Sequence, residues 1–537
     1  MSSDLNIRIA VATAVIVVAT TAVMVRSYLV HLENEKKRKF YKIKPRRNPS
    51  HRQLGYNNSM SSRDLIQSSS KSVSLQDVRD ADSSAGGLTL PAKPIRRKSN
   101  DRLIGMKDAA DKKNSKVVIV MVGLPGRGKT YVARKVARYL RWIDKATMVF
   151  SLAKYRLEEM GPQRSDFFNP HNAECYQKRV KTMLNALEDL LSYLNRDGDV
   201  GIIDGTNTSF DRRRKIIERV KEEKGCSLLW IEMISERRES LDTWINENTS
   251  SSSTTTTAYS STSNDHSNGS SAVPEYEDKI EREKRLKYYR QDYSQVSEEE
   301  GSFIKMVDNG RKLELHQIHG LLPTKIAAFV LNLHTLPRPI FIVRAGESEN
   351  NTRGLIGGDS SLSPRGQQFA AALSNHLSSP ESGVDCSKLQ VWSSCLARAL
   401  DTAALIPCER LTPWQALREI ELGVCDGKSQ EEIRTLYPEE CQAYQQDTLR
   451  YRYPRAENYL DVIARLEPLI FELEQQRQPI CVVAHQAVLR CLYAYFLDVP
   501  QQEIPYLSMP LHTITRLDPR AYACHEKRVK ILLPLDG

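Results

Sequence analysis

Gly123-Leu124-Pro125-Gly126-Arg127-Gly128-Lys129-Thr130 has the spacing G-x-x-x-x-G-K-[ST], which suits a loop that wraps phosphate groups. Glycines at 123, 126 and 128 let the chain turn tightly enough for the backbone N–H groups of residues 124–130 to face an anion. The positive end of a following helix would assist them. Lys129 would reach the β- and γ-phosphates of a nucleotide, and Thr130 would hold Mg²⁺. Asp204 closes the apolar run Val200-Gly201-Ile202-Ile203 and precedes Gly205-Thr206-Asn207-Thr208. A carboxylate at a strand's C-terminal end can hold Mg²⁺ through water or take the proton of an attacking hydroxyl. A lone Asp in that place is often only a helix cap; beside a phosphate loop the chemical reading is favoured. A phosphorylated acceptor also needs cations. Arg156, Arg212, Arg213 and Arg285 are candidates, although residue type alone does not select among arginines, most of which are solvated.

A second constellation lies in the C-terminal part: Arg344, Glu347, Asn351, Arg398, Glu419, His485 and Gln486. Phosphomonoester cleavage by histidine uses one imidazole to attack phosphorus, arginines to neutralise the oxygens and an acid to protonate the leaving alcohol. His485 follows the apolar run 479–484, which puts it at the edge of a sheet facing a pocket. The attacking imidazole would occupy position 345, in Arg344-Ala345-Gly346-Glu347, where the chain has alanine. A methyl group cannot form a phospho-intermediate. One polypeptide thus carries two phosphate sites, and the second lacks its nucleophile.

Both sites need sheets to hold them. Val117–Val122 is a continuous apolar, β-branched run; the glycine loop follows, then helical spacing over Tyr131–Leu140. Val200–Ile203 and Ser227–Ile231, which ends at Glu232, repeat the buried-strand signal. Strands alternating with helical stretches predict a parallel α/β sheet. A second α/β unit begins near Pro337, with strands expected at Ile340–Val343, Leu389–Trp392 and Ile480–Ala484 and a helix over Tyr459–Gln475. Thr249–Val273 is almost wholly Ser, Thr, Asn and Gly and reads as a disordered insertion. Residues 48–115 read as a flexible linker. Ile9–Val25 is an uncharged run of seventeen apolar or threonine residues between Arg8 and Arg26. With Lys36-Lys37-Arg38-Lys39 behind it, the run predicts a single-pass anchor with its basic side in the cytoplasm.

The net charge is +11, but residues 26–52 hold ten Lys/Arg and two Asp/Glu, a local +8, which leaves +3 elsewhere. That distribution argues against a nucleic-acid-binding face. All ten cysteines fall at 175 or beyond without C-x-x-C spacing, as expected of a folded part in a reducing compartment. The expected order is a tail (1–8), the anchor (9–25), a basic then Ser-rich linker (26–115), a phosphate-loop domain (116–336, insertion 249–273) and a second domain (337–537).

These motifs, in this order, resemble the bifunctional 6-phosphofructo-2-kinase/fructose-2,6-bisphosphatase family over about residues 116–525. The likeness is carried by the glycine loop with Tyr131, by Tyr155-Arg156, by Asp204 with Thr206-Asn207-Thr208, and by Arg285 with Tyr289. In the second half it is carried by Arg353-Gly354, Ile356-Gly357-Gly358-Asp359-Ser360, Glu419-Ile420, Gly423-Val424-Cys425, Tyr437-Pro438-Glu439-Glu440, Arg450–Pro454 and His485-Gln486-Ala487-Val488 with Arg490. The resemblance implies a P-loop kinase domain, a parallel sheet with flanking helices, followed by a phosphoglycerate-mutase-like histidine phosphatase α/β domain. It implies ATP and Mg²⁺, with fructose 6-phosphate and fructose 2,6-bisphosphate as ligands, a homodimer and no nucleic acid. Lys129 and Asp204 would be catalytic, and Thr130 and Asp204 would face the metal. Gly123, Gly126, Arg127, Gly128, Lys129, Thr130 and Tyr131 would hold the nucleotide. Arg156, Thr206, Arg212, Arg285 and Tyr289 would hold the sugar phosphate. Arg344, Ala345, Asn351, Arg398, Glu419, Tyr437, Arg452, Arg455, His485, Gln486 and Arg490 would form the phosphatase-like site, with Arg452 and Arg455 on the substrate's other phosphate.

Three positions depart from the family pattern. Ala345 replaces the phosphohistidine. Trp244 and Thr249 fall where an Asn and a substrate-contacting Lys are usual, next to the insertion. Asn169 lies where some members carry a basic residue. The expected function is synthesis of fructose 2,6-bisphosphate by catalytic domains in the cytoplasm, tethered through residues 9–47, beside an inactive phosphatase-like domain. An active bifunctional enzyme, with Ala345 introduced or bypassed, is one alternative. A membrane-tethered ligand sensor is another, and the cytosol is the alternative location.

Overall fold

The computed structural model describes residues 116–235, 275–334, 338–520 and 523–533, all within one compact unit, Arg97–Gly537. The expected anchor, linker and Ser/Thr insertion, with Trp244 and Thr249, lie outside the described residues.

Two six-stranded sheets follow one another along the chain. The first contains β1 (Lys116–Val122), β2 (Thr147–Ser151), β3 (Val200–Asp204), β4 (Cys226–Ile234), β5 (Phe303–Val307) and β6 (Lys312–His316). Their order is β2-β3-β1-β4-β5-β6, parallel except for β6. Helices α1 (Lys129–Trp142), α2 (Leu152–Met160), α3 (Ala173–Arg196), α4 (Phe210–Glu222), α5 (Glu275–Gln291) and α6 (Leu321–Leu331) accompany it. The central strand β1 is buried from Val117 to Val122, which explains its unbroken apolar run: a parallel strand is covered on both faces. The chain crosses to opposite sides of β1 to make β3 and β4. That leaves a crevice at the C-terminal ends of β1 and β3, where such sheets bind ligands.

The second sheet holds β7 (Ile340–Arg344), β8 (Gln390–Ser394), β9 (Arg410–Trp414), β10 (Ile480–Ala484), β11 (Thr513–Pro519) and β12 (Cys524–Lys530), ordered β12-β11-β7-β10-β8-β9. β7, β10, β8 and β9 are parallel, while β11 and β12 run antiparallel at one side. Its helices are α7 (Glu349–Thr352), α8 (Pro364–Ser378), α9 (Ala397–Ala404), α10 (Gln430–Leu436), α11 (Pro438–Gln446), α12 (Tyr459–Gln475) and α13 (Gln486–Leu497). The fold is therefore a P-loop kinase sheet followed by a histidine phosphatase α/β sheet, the α/β class expected.

The two halves share one apolar core. On α1, Tyr139 stacks on Phe329 of α6 at 4.3 Å and meets Phe471 of α12 at 5.6 Å; Trp142 meets Tyr495 of α13 edge-on at 5.6 Å. Polar contacts cross the same seam. Lys135 Nζ lies 2.6 Å from each oxygen of fully buried Glu474. Tyr139 donates to Glu467 at 2.6 Å, and Trp142 Nε1 donates to the Cys491 carbonyl at 2.9 Å.

The expectation of an N-terminal membrane tether is corrected. No helix among the described residues is long and apolar enough to cross a membrane, and residues 9–25, on which the expectation rested, lie outside them.

Candidate active site and a second phosphate cavity

At the C-terminal ends of β1 and β3 a cavity of about 320 Å³ opens between the glycine loop and a ring of arginines. Gly123 follows β1 directly, with φ +132°, and its backbone N–H donates to the Thr206 carbonyl at 2.9 Å. A Cβ there would lie 2.5 Å from the Met233 carbonyl oxygen, so only glycine lets the loop leave the sheet this way. Gly128, in the left-handed conformation, immediately precedes α1 as its N-cap. Pro125, Gly126, Lys129 and Thr130 line the cavity. The loop after β3 is pinned by Asn207, whose side-chain amide donates to the Met121 carbonyl at 2.9 Å. That bond holds Asp204 opposite the loop, with Thr130 Oγ1 donating to its Oδ1 at 3.2 Å.

Lys129 is buried and donates to the Leu124 carbonyl at 2.6 Å. Burial lowers its ammonium to about 7; Asp204 resists, while Arg285 and Arg127 push further down. Burial raises the Asp204 carboxyl, against the pull of Thr130, Lys129 and Arg134. Arg156, Arg212, Arg285, Thr206 and Tyr289 line the same cavity, joined by Arg179. The Arg285 guanidinium lies 4.0 Å from the Phe168 ring centroid and that of Arg156 5.1 Å from it, so one aromatic ring holds two of the cavity's cations. Burial lowers the Arg156, Arg179 and Arg212 guanidiniums, and like charge among these arginines lowers those of Arg156 and Arg212 further. Burial alone would raise the Tyr289 phenol; Arg285, a hydrogen bond with Thr206, Arg212 and Arg156 bring its net shift downward. A pocket so rich in positive charge is built for an anion.

Thr130 and Asp204 supply two oxygen donors side by side. Among the described residues there is no group of three or more His, Cys, Asp or Glu that could hold a metal. This set fits Mg²⁺, which takes few protein ligands and completes its shell with substrate phosphates and water.

Three expected residues stand elsewhere. Tyr131 points into the core, and its hydroxyl donates to the His334 carbonyl at 3.3 Å. Arg127 lies outside the cavity wall, where Arg290, Asp308 and Tyr293 act on it. Arg213 is fully buried in a structural pair with Glu300 at 2.6 Å and also binds the Asn207, Thr208 and Ser294 carbonyls. Sequence reasoning missed Arg179. Its one signal is a cation on the apolar stripe of α3, four residues before buried Met183.

The second cavity, of about 560 Å³, lies at the C-terminal ends of β7 and β10. The register pairs Arg344 with Ala484, and the Ala345 N–H donates to the Ala484 carbonyl at 2.8 Å. Residues 345 and 485 therefore lead side by side from adjacent strands. Arg344, Ala345, Asn351, Arg398, Glu419, His485, Gln486 and Arg490 all line the cavity. His485 is buried, with Nε2 2.8 Å from Ser394 Oγ. Burial, then Arg398, Arg344 and Arg465, hold its imidazolium well below the ordinary range. The Glu419 carboxylate accepts the Gln486 and Ala487 N–H groups at 3.0 and 3.2 Å; it occupies the N-terminus of α13, where negative charge is favoured. Arg398 donates to the Gly358 carbonyl at 2.8 Å, and Arg490 to the Tyr459 hydroxyl at 2.9 Å.

Four expected residues lie off this wall. Arg452 faces Asp461 at 2.6 Å, and Arg455 is exposed. Tyr437 packs beside Cys425 and Ile433 in a small apolar cluster. Glu347 accepts from Ser363 at the start of α8, at 2.8 Å. Tyr444, Tyr459 and Gln430 line the cavity without any signal in the sequence.

These two sheets and cavities define a class: a P-loop phosphotransferase joined in one chain to a histidine-phosphatase domain. Residues 106–337 match the family model for 6-phosphofructo-2-kinase, and residues 340–531 that of the histidine phosphatase superfamily, branch 1. The chain belongs to the 6-phosphofructo-2-kinase/fructose-2,6-bisphosphatase family and, as an enzyme, is a 6-phosphofructo-2-kinase. It is 40% identical over 428 residues to 6-phosphofructo-2-kinase/fructose-2,6-bisphosphatase 1 of Rattus norvegicus, covering 78% of this chain and 84% of that one. The human counterpart is 40% identical over 424 residues, covering 76% and 83%. The Arabidopsis thaliana relative is 39% identical over 441 residues, covering 80% of this chain but only 55% of that longer protein. Among solved structures, a mycobacterial glucosyl-3-phosphoglycerate phosphatase is 26% identical with TM-score 0.32, covering 36% of this chain and 100% of that one.

Proposed function

We propose that the first cavity transfers the terminal phosphoryl group of ATP to the 2-hydroxyl of fructose 6-phosphate, giving fructose 2,6-bisphosphate and ADP. The second cavity binds a phosphate ester without forming a phosphoenzyme. The observation that carries the first half is that Lys129, Thr130 and Asp204 line one cavity together with Arg156, Arg179, Arg212 and Arg285. The arginines hold the 6-phosphate and turn the sugar toward the loop. Lys129 follows the transferring group and gathers the charge that develops on its oxygens. Asp204, its carboxyl raised by burial, accepts the hydroxyl proton. Thr130 and Asp204 would hold Mg²⁺, which would supply charge neutralisation at the phosphates. In the second cavity Arg344 and Arg398 remain to bind phosphate, while the methyl group of Ala345 offers no lone pair for attack.

One assay, formation and loss of fructose 2,6-bisphosphate by the purified full chain, tests both halves. Lys129→Ala should lower synthesis by about 10²-fold or more, and near-normal turnover would refute the kinase site. With labelled fructose 2,6-bisphosphate the parent chain should carry no phosphoenzyme, and Ala345→His should gain both phosphoenzyme and turnover. Hydrolysis by the parent at about 1 s⁻¹ or faster, an ordinary enzyme rate, would show that another group is the nucleophile.

A further inference from the structure

The helix that leaves the phosphate loop and the helix that leaves the second cavity meet at one buried carboxylate. α1 starts at Lys129. Six residues on, about 9 Å along its axis, Lys135 Nζ lies 2.6 Å from both Glu474 oxygens. α13 starts at Gln486, a residue of the second cavity. From its far end Tyr495 donates to Glu474 Oε1 at 2.6 Å. Glu474 itself, on α12, has no solvent exposure. Arg138 adds a direct tie between the two helices, donating to the Phe496 carbonyl at 2.9 Å. Sliding either helix along its axis would stretch charge-assisted bonds where no water can replace them. The two helices therefore shift together or stay. α1 carries the phosphate loop at its N-terminal end, and α13 starts at the wall of the second cavity, where Glu419 takes the N–H groups of Gln486 and Ala487.

We infer that the Glu474 cluster couples the two phosphate sites, so that a sugar bisphosphate held in the second cavity strengthens nucleotide binding in the first. The sign is positive where the first ligand bears the cost of shifting or ordering the shared pair of helices and the second does not bear it again. The coupling rests on the reading that the second cavity binds fructose 2,6-bisphosphate without consuming it.

The test is the ADP affinity of the full chain, by calorimetry, without and with saturating fructose 2,6-bisphosphate. Arg398→Ala serves as the control that subtracts any sugar bisphosphate bound beside ADP in the first cavity. The parent should bind ADP about fivefold more tightly, or better, when the sugar is present, and Arg398→Ala should not. Glu474→Gln and the milder Tyr495→Phe, each checked for folding by thermal unfolding, should keep both separate affinities and lose most of the gain. If fructose 2,6-bisphosphate shows no Arg398-dependent binding, the reading of the second cavity falls and the coupling with it. If it binds but ADP affinity is unchanged or weakened, the coupling alone is overturned. A gain undiminished in both folded variants overturns the role of the cluster.

Discussion

Lys129 is held in the free protein without enough negative charge around it. Burial, with Arg285 and Arg127 adding to it, lowers its ammonium to about 7, and Asp204 is the counterweight. At pH 8 the free site therefore holds Lys129 mostly neutral, whereas nucleotide phosphates would restore the charged form. ADP binding at pH 8–9 should take up close to about one proton, falling toward none below about pH 6, where Lys129 is already charged. Calorimetry in buffers of different ionisation heat reads this directly, and Lys129→Met should remove the uptake. Uptake unchanged in that variant would place the titrating group elsewhere. His485 is the mirror case in the second cavity: neutral because buried near Arg398 and Arg344, it is ready to accept a proton only once an anion arrives. Lys129, Thr130 and Asp204 were legible in the sequence because a loop between strand and helix fixes their geometry locally. The pairing of Arg452 was not, because its partner, Asp461 on α12, is chosen by tertiary position.

The phosphate loop depends on how β1 ends. Gly123 combines φ +132° with the Met233 carbonyl 2.5 Å from where a Cβ would stand. Gly123→Ala should push β4 away or rebuild the turn, costing about 2 kcal/mol or more in stability, and nucleotide affinity should fall with it. Denaturant unfolding and ADP titration would check this; an unchanged midpoint would show that the loop can exit the sheet another way. β1, β3, β7 and β10 were legible because strands covered on both faces keep continuous apolar runs. β12 was not, since Cys524-His525-Glu526-Lys527-Arg528-Val529-Lys530 is a charged, largely exposed edge, the composition that guards a sheet margin from pairing. β9 was hidden by Pro413, which an edge strand tolerates. The helix over Tyr459–Gln475 emerged with the expected limits, and Asn458 with Asp461 caps its start.

At the scale of the whole molecule, the kinase half and the phosphatase-like half share a core and the Lys135–Glu474 pair that crosses it. Removing the carboxylate leaves Lys135, Arg138 and Arg338 facing one another without solvent. Glu474→Ala should therefore cost about 3–5 kcal/mol and lower the unfolding of both halves together. A calorimetric trace in which the kinase half melts separately and unshifted would contradict a shared core. The same pair has a consequence for how the protein is made. Lys135 and Glu474 are 339 positions apart. At translation rates of about 5–20 residues per second, the carboxylate leaves the ribosome roughly 20–70 s after the lysine. Through that interval Tyr139, Trp142 and Lys135 of the nascent kinase half lack the C-terminal surface that later covers them. A transcript truncated before α12 would leave this face bare, as a substrate for chaperones and proteases.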